Sequence, residues 1–135
     1  MRLFRTMVKV SLLLVPLVAC SQDVETKSAL SASAETGKRM FLFCQSCHSV
    51  NEGGANKVGP NLYDVFGKPA AQKEGYTYSK ALSAADITWT AEVLDKWIES
   101  PGVVVPGTSM IFAGIQNPQQ RADLIAYLQA LAPSD

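Results

Sequence analysis

Two stretches in the second half of the chain place their apolar residues at the spacing of one helix face. The first stretch follows Thr90, which can cap a helix, and it ends at Ser100 before Pro101. Its apolar residues stand at i, i+1, i+4 and i+5 and are Val93, Leu94, Trp97 and Ile98. This spacing predicts a helix with one buried face.

The second stretch predicts the final helix of the chain. Asn117 can cap it, Pro118 suits its first position, and it must stop before Pro133. Its apolar side consists of Leu124, Ile125, Leu128 and Leu131, with Tyr127 beside them. The recurrence of these residues again predicts one buried side.

Upstream of residue 90 the apolar pattern is less regular. A stripe at i, i+4, i+7 and i+11 predicts a first helix over residues 35–47, and its members are Gly37, Phe41, Cys44 and His48. We also predict a short helix over residues 61–66 and a helical turn over residues 79–84. Because no stretch shows the alternation of a strand, the sequence predicts an all-α domain whose connections are long enough to wrap a cofactor.

The first 19 residues have the layout of a secretory signal. Residues 1–9 are basic and residues 10–19 are almost wholly apolar. This apolar run is shorter than the roughly 20 residues that a transmembrane helix needs. The sequence from Leu17 to Cys20 resembles the bacterial lipobox, in which the cysteine becomes a lipid-modified N-terminus. We therefore expect a lipoprotein-type signal peptide and a lipid anchor on Cys20, with ordinary secretion and an unmodified cysteine as the alternative.

The segment that follows the signal peptide is rich in serine and poor in large apolar residues. Residues 20–34 are therefore predicted to form a flexible tether, and residues 35–135 the folded domain. Loss of Arg2, Arg5 and Lys9 with the signal peptide leaves nine basic residues against twelve acidic ones, a formal net charge of −3. A nucleic-acid partner is not expected for a chain with this balance.

The run from Cys44 to His48 has the form Cys-x-x-Cys-His, which is an attachment motif for c-type haem. Two thiols one helical turn apart can add to the two vinyl groups of one porphyrin, and His48 can then reach the iron as its proximal ligand. A zinc half-site or a thioredoxin-like redox pair are the alternatives. Zinc needs about four ligands, but the chain has no other histidine and only one other cysteine. A redox pair would not require the histidine.

A second iron ligand is sought among the four methionines of the chain. Met1 and Met7 fall in the signal peptide, and Met40 belongs to the predicted first helix. Met110 follows a Pro-Gly turn, where a stiff backbone could aim its thioether at the iron. A methionine is more often core filler than a ligand, so this assignment depends on the haem.

These motifs resemble those of a class I cytochrome c of the mitochondrial-like branch, from Gly37 to about Leu131. The matching segments are residues 59–62 (Gly-Pro-Asn-Leu), 66–67, 75–78, 87–89, 106–114 and 121–128. The resemblance implies the class I cytochrome c fold, in which short helices and loops wrap around one covalently bound haem.

The resemblance also implies roles for individual residues. Met110 becomes the distal iron ligand, and the carbonyl of Pro60 supports His48. Tyr78 and Trp89 become partners of the haem propionates. Lys68 stands where the family often has an arginine near a propionate.

With a histidine and a methionine as axial ligands, the resemblance implies one-electron transfer by a monomer rather than enzymatic catalysis. We expect a membrane-tethered shuttle between redox complexes on the periplasmic side of a bacterial membrane. The lysines that surround the haem edge in many relatives are replaced here, for example by Val103 and Ser109. Docking should therefore depend on apolar contacts near Val104, Ile111 and Phe112. The alternatives are a peroxidase-like or gas-binding haem protein and a fixed electron relay within a larger complex.

Overall fold

The computed structural model of the protein describes residues 21–132, which form five α-helices and one 3-10 helix. The α-helices are α1 (Ser21–Met40), α2 (Lys80–Ala84), α3 (Ala91–Glu99), α4 (Pro101–Val104) and α5 (Pro118–Ala130), and the 3-10 helix is Phe41–Phe43. Within residues 21–132 the only extended pairing is an isolated antiparallel bridge between Pro69 and Thr88. The prediction of an all-α domain is confirmed.

Two sequence expectations fall on residues that the structure does not describe. The signal peptide, residues 1–19, and the proposed lipidation site Cys20 both lie outside the described range. Between residues 21 and 132, no helix has the length and the apolar character needed to cross a membrane.

The capping residues identified in the sequence begin the later helices as predicted. The Thr90 side chain accepts a hydrogen bond from the Val93 N–H at 3.3 Å, and α3 starts at the next residue. Asn117 accepts two backbone hydrogen bonds at the start of α5, with Pro118 at the first helical position. Ser79 caps α2 in the same way. These caps satisfy backbone N–H groups that have no partner within their own helix.

The first helix differs from its prediction at both ends. It begins at Ser21, so the stretch expected to be a flexible tether is helical from this residue onward. Alanine has the highest helix propensity, and the stretch contains Ala29, Ala32 and Ala34. Its Ser33 hydroxyl also donates a hydrogen bond to the Asp123 carboxylate on α5. Packing on α5 therefore holds one part of this stretch, and the helix extends from there.

At its other end α1 stops at Met40, before the cysteines. The chain continues as the 3-10 helix and then as a turn in which the Cys47 and His48 N–H groups both donate to the Cys44 carbonyl, at 3.0 and 2.9 Å. The Cys-x-x-Cys-His run is therefore a tight turn rather than the last turn of a long helix. This turn brings both cysteines and His48 to one wall of the domain.

Two further elements differ from the sequence prediction. Residues 61–66 form turns instead of a helix, because the Asn61 side chain accepts from the Tyr63 N–H at 2.7 Å and Asp64 has a positive φ of 55°. Asparagine side chains commonly compete with helical hydrogen bonding in this way. The short helix α4 was not predicted. It starts at Pro101, whose fixed φ suits the first helical position.

The core lies where α1 and α3 pack against α5. Leu124 of α5 is almost completely buried, and Phe41 stacks in a tilted arrangement on Tyr127 with ring centroids 5.7 Å apart. Trp89 and Trp97 meet edge to face at 5.1 Å. These contacts build a rigid frame on one side of a large internal space.

Candidate functional site

A cavity of about 640 Å³ opens between this core and the loops around it. Its walls contain all eight described residues that the sequence analysis singled out as a cofactor site: Cys44, Cys47, His48, Pro60, Lys68, Tyr78, Trp89 and Met110. Apolar side chains such as Leu94, Ile98 and Leu128 cover much of the remaining wall. The structure thus gathers residues separated by up to 66 positions in the sequence around one space.

The two cysteines stand as free thiols in the wall of the cavity, each partly buried. Burial and, to a smaller extent, the neighbouring Cys47 raise the pKa of the Cys44 thiol to about 11. Cys44 is therefore protonated at neutral pH. A catalytic redox cysteine requires the opposite, a depressed pKa that exposes the thiolate, so the thioredoxin-like interpretation is disfavoured.

The zinc interpretation also lacks support. Over residues 21–132, no group of three or more His, Cys, Asp or Glu side chains comes together in a way that could hold a metal ion. Cys44, Cys47 and His48 therefore do not converge on one metal position. This donor set instead suits a cofactor that brings most of its own iron ligands.

His48 is buried with its ring oriented by one hydrogen bond. Its Nδ1 lies 2.7 Å from the Pro60 carbonyl oxygen. A carbonyl can only accept, so Nδ1 carries the proton and donates it. Burial lowers the pKa of His48; the bond to Pro60 acts against this, and the charge of Lys57 adds a smaller lowering. The neutral ring therefore leaves Nε2 with a free lone pair, which is the form that binds metals.

The loop that carries Pro60 is itself held by Asn61. This residue is 4% exposed, and its amide donates to the carbonyls of Asn51 and Gly54 at 2.8 and 2.7 Å. Its backbone N–H donates to the Asn56 side chain at 2.9 Å. The sequence prediction made Asn61 the start of a helix and part of the matching segment 59–62, and it missed this role. The available clue was that asparagine often closes loops by bonding to nearby backbone.

Gly59 allows the loop to pass close to the His48 ring. A Cβ atom built at this position would stand 2.3 Å from His48 Cε1 and 2.8 Å from both ring nitrogens. The Gly59 N–H also donates to the Cys47 carbonyl at 2.8 Å. We call residues 57–61 the proximal loop. This loop is thus tied to the Cys-x-x-Cys-His turn at the point where it touches the ring.

Met110 lies on a second loop, which connects α4 to α5. Gly107 turns this loop with a positive φ of 88°, and the Met110 N–H donates to the Thr108 side chain at 3.3 Å. Met110 is partly buried and lines the same cavity as His48. Met40, in contrast, packs against the core on α1 and does not line the cavity.

The predicted propionate partners lie in the cavity wall beside one another. The Trp89 N–H donates to the Lys68 carbonyl at 2.9 Å. The Lys68 side chain is 56% exposed, and its ammonium lies 3.4 Å from the Asp64 carboxylate. The Tyr78 hydroxyl accepts from the Lys73 N–H at 3.3 Å, and burial raises the pKa of this phenol. Their roles toward the propionates remain predictions.

Tyr76 also lines the cavity, although no role was predicted for it from the sequence. Its hydroxyl donates to the Val58 carbonyl at 2.7 Å. Its ring meets Tyr78 edge to face with centroids 4.7 Å apart. Tyr76 therefore links the proximal loop to the segment that carries Tyr78.

These residues fit a c-type haem. The cavity offers two thiols, an imidazole with a free nitrogen, a thioether and mostly apolar walls, which together are the groups that attach, ligate and bury such a cofactor. An all-α domain built around this donor set defines a class I c-type cytochrome.

Comparison with known proteins agrees with this class. The sequence matches the Cytochrome c family model over residues 34–132. The chain therefore belongs to the cytochrome c family. It is 44% identical over 101 residues to cytochrome c2 of Blastochloris viridis, covering 75% of this chain and 80% of that protein. It is 52% identical over 80 residues to cytochrome c of Trypanosoma brucei brucei, covering 59% and 86%.

A solved structure supports the fold as well. Cytochrome cH from Methylobacterium extorquens is 39% identical and superposes with a TM-score of 0.68, covering 72% of this chain and 97% of that chain. The class I cytochrome c fold predicted from the sequence is confirmed. As a family member, the chain carries one haem c attached covalently through Cys44 and Cys47 and acts in electron transfer, not as an enzyme.

Proposed function

We propose that this cytochrome is a lipid-anchored carrier that moves one electron at a time between membrane complexes on the extracytoplasmic side of a bacterial membrane. In this proposal His48 and Met110 are the two axial ligands of the iron. The observation that carries the electron-transfer part of this proposal is the state of His48, whose Nδ1 donates to Pro60 and whose Nε2 is free, in a cavity that Met110 also lines.

The bound haem supplies a one-electron couple between ferric and ferrous iron. The chain contributes the environment of that couple: thioether ligation and apolar burial favour the reduced, less charged form and raise its potential. If His48 and Met110 both held the iron, no ligand position would be left for oxygen or peroxide. The proposal therefore favours a carrier placed late in a respiratory or photosynthetic chain over a peroxidase-like or gas-binding protein.

Replacement of Met110 by alanine tests this ligand assignment. We expect Met110→Ala to keep its covalent haem, to lose the weak long-wavelength absorption band that methionine gives ferric haem, and to bind carbon monoxide when reduced. Met40→Ala is the matched control, because Met40 lies outside the cavity wall, and it should retain the band and exclude carbon monoxide. A wild-type protein that lacks the band and binds carbon monoxide readily would instead support the enzyme or sensor hypothesis.

The surface around the cavity supports docking through apolar contacts. Three side chains of the cavity wall are also strongly exposed: Phe43 at 67%, Val58 at 78% and Ile111 at 101%. Val104 and Phe112, which were also expected to contribute, are partly buried. We propose that a redox complex covers this apolar rim, and that long-range attraction between charges contributes little to the encounter.

The anchor would join the domain at the start of α1. Because α1 begins at Ser21, residues 21–34 would extend about 21 Å at 1.5 Å per residue. A flexible chain of this length has a similar reach, but a helix also fixes direction. A lipid on Cys20 would then hold the domain at a high local concentration near its membrane partners and with a restricted orientation.

Substitution of Cys20 tests the anchor separately from the haem. We expect Cys20→Ser to leave haem attachment unchanged and to move the protein from the membrane fraction to the soluble extracytoplasmic fraction. Ser21→Ala, which keeps the cysteine, should remain in the membrane. A Cys20→Ser protein that stays in the membrane would exclude the lipid anchor.

Co-purification of the wild-type protein with one complex after mild detergent would favour a fixed relay over a mobile carrier.

A further inference from the structure

Arg121 is a charged residue in the interior, at 6% exposure, on the first turns of α5. Its Nε and one terminal nitrogen donate to the two carboxylate oxygens of Asp95, at 2.6 and 3.3 Å. The other terminal nitrogen donates to the carbonyls of Ile115 and Gln116, both at 3.0 Å, and lies 3.5 Å from the Glu99 carboxylate. The guanidinium thus joins α3, α5 and the end of the methionine loop, which we define as residues 105–116.

The shape of the guanidinium matters for this arrangement. Only a planar fork with five N–H donors can bind one carboxylate through two bonds and still donate to two carbonyls in another direction. A lysine at the same position has a single ammonium group and can serve one of these sites. The burial of a charge is compensated here by paired carboxylates on α3.

The methionine loop is fastened at its two ends and not in its middle. At the upstream end, the Val105 N–H donates to the Pro101 carbonyl at 2.9 Å. At the downstream end, the Ile115 N–H donates to the Ile98 carbonyl at 3.0 Å, beside the two carbonyls that Arg121 holds. Within the part of the chain that the structure describes, no backbone-to-backbone hydrogen bond fastens residues 109–114.

Met110 lies in this unfastened middle. Its backbone has the local bond to Thr108, so the place of its side chain depends on how firmly the ends of the loop are held. The downstream end is the more heavily held. Arg121 supplies the two side-chain hydrogen bonds to its carbonyls, one at Ile115 and one at Gln116, and the Gln116 side chain adds a bond to the Glu99 carbonyl. A change at Arg121 would release this end while leaving the cysteines and His48 untouched.

We propose that Arg121 is a positioning residue for Met110, which keeps the methionine loop closed over the cavity and so keeps the thioether at the iron. The proposal rests on the ligand role proposed above for Met110. Arg121 acts through the carbonyls of the loop and does not itself line the cavity. Its contribution is therefore to the equilibrium between a closed and an open loop.

Imidazole binding to the ferric holoprotein measures this equilibrium, because the added ligand competes with Met110 for the iron. We expect Arg121→Gln to keep its covalent haem and to raise the apparent affinity for imidazole about tenfold, which corresponds to about 1.4 kcal/mol. Arg121→Lys, which keeps the charge and one contact, should show a smaller increase in imidazole affinity. It also provides a second test if the Arg121→Gln variant fails to fold. The long-wavelength methionine band should weaken in the same order.

Ser33→Ala separates positioning from general stability. Ser33 bonds to Asp123 between α1 and α5, away from the methionine loop. We expect Ser33→Ala to lower the midpoint of chemical denaturation without changing the imidazole affinity. If the Arg121 variants also lose stability but bind imidazole as the wild type does, Arg121 is only structural and the proposal is overturned.

The same experiment distinguishes failure of the inference from failure of the proposed function. If the wild-type protein already binds imidazole as tightly as Met110→Ala, then Met110 is not an iron ligand, and both proposals fall. If Met110→Ala binds imidazole more tightly than the wild type but both Arg121 variants do not, only the positioning role is overturned.

Discussion

Replacement of Gly37 by alanine is expected to lower the free energy of unfolding by about 1–3 kcal/mol. A Cβ atom at residue 37 would stand 1.9 Å from the backbone oxygen of Asp123 and 2.9 Å from the Cβ of Tyr127. The obstacle is the main chain of α5, which cannot rotate aside as a side chain can. The two helices would have to separate, which would also loosen the contact between Phe41 and Tyr127.

The sign of this effect is informative because helix propensity acts in the opposite direction. Alanine inside a helix is favoured over glycine by about 1 kcal/mol. If there were room for a Cβ atom at residue 37, Gly37→Ala would therefore be more stable than the wild type. Chemical denaturation of Gly37→Ala measures the balance. Lys38→Ala is the control on the neighbouring exposed position, and it should change stability by no more than about 0.5 kcal/mol. A Gly37→Ala protein as stable as the wild type would show that the helix crossing is not tight.

The parts of the fold that could be predicted from the sequence are those that depend on neighbouring residues. Helices α3 and α5 have their caps, their stop positions and their apolar faces within 12 and 17 consecutive residues, from Thr90 to Pro101 and from Asn117 to Pro133. Local patterns were therefore sufficient. The start of α1 was predicted wrongly because composition alone suggested a tether. A short helix is unstable in isolation, but one that is already nucleated adds residues at little cost. The contact that holds this part of α1 on α5, between Ser33 and Asp123, spans 90 positions and could not be predicted from local sequence.

The candidate site also contains residues that local sequence patterns could predict and residues that they could not. Cys44, Cys47 and His48 lie within five consecutive residues, and their spacing alone indicated the cofactor. The prediction that Met110 is an iron ligand required both the Pro-Gly turn before it and the resemblance to the family. The short helix predicted over residues 61–66 was wrong, since the Asn61 side chain bonds the backbone of its own loop.

The resemblance to the family predicted that Pro60 supports His48. The roles of Asn61 and Gly59 could not be predicted, because they depend on how the loop passes over the ring. Asn61 is a loop asparagine in the sequence and a buried centre of four hydrogen bonds in the structure. Gly59 is one of nine glycines. Its neighbour Pro60 was expected to support His48, but the sequence does not indicate that residue 59 itself touches the ring. Its importance follows only from the absence of space beside it.

Gly59→Ala is therefore expected to damage the haem site directly. The new Cβ would lie 2.3 Å from His48 Cε1, so either the imidazole or the loop must move. The loop is restrained, since the Gly59 N–H donates to Cys47 at 2.8 Å and its carbonyl accepts from Lys57 at 2.9 Å. We expect the ring to shift and its 2.7 Å bond to Pro60 to weaken.

The expected loss in the free energy of unfolding of the holoprotein combines two effects. Overpacking costs about 1–3 kcal/mol, and loss of the hydrogen bond to Pro60 adds about 0.5–1.5 kcal/mol. Chemical denaturation measures the sum, and the absorption spectrum of the same samples reports whether His48 still binds iron. We expect Gly59→Ala to show a lower midpoint and an altered spectrum even where haem remains covalently attached.

Gly102→Ala is the matched control for this substitution. Gly102 lies in α4, has no positive φ, and has no atom within 4 Å of the position where a Cβ would stand. Alanine there should leave the spectrum unchanged and stability equal or higher by up to about 1 kcal/mol, because it reduces the freedom of the unfolded chain. If Gly59→Ala behaves like Gly102→Ala, the loop has room to retreat from His48, and the orientation of the ring does not depend on the close passage of residue 59.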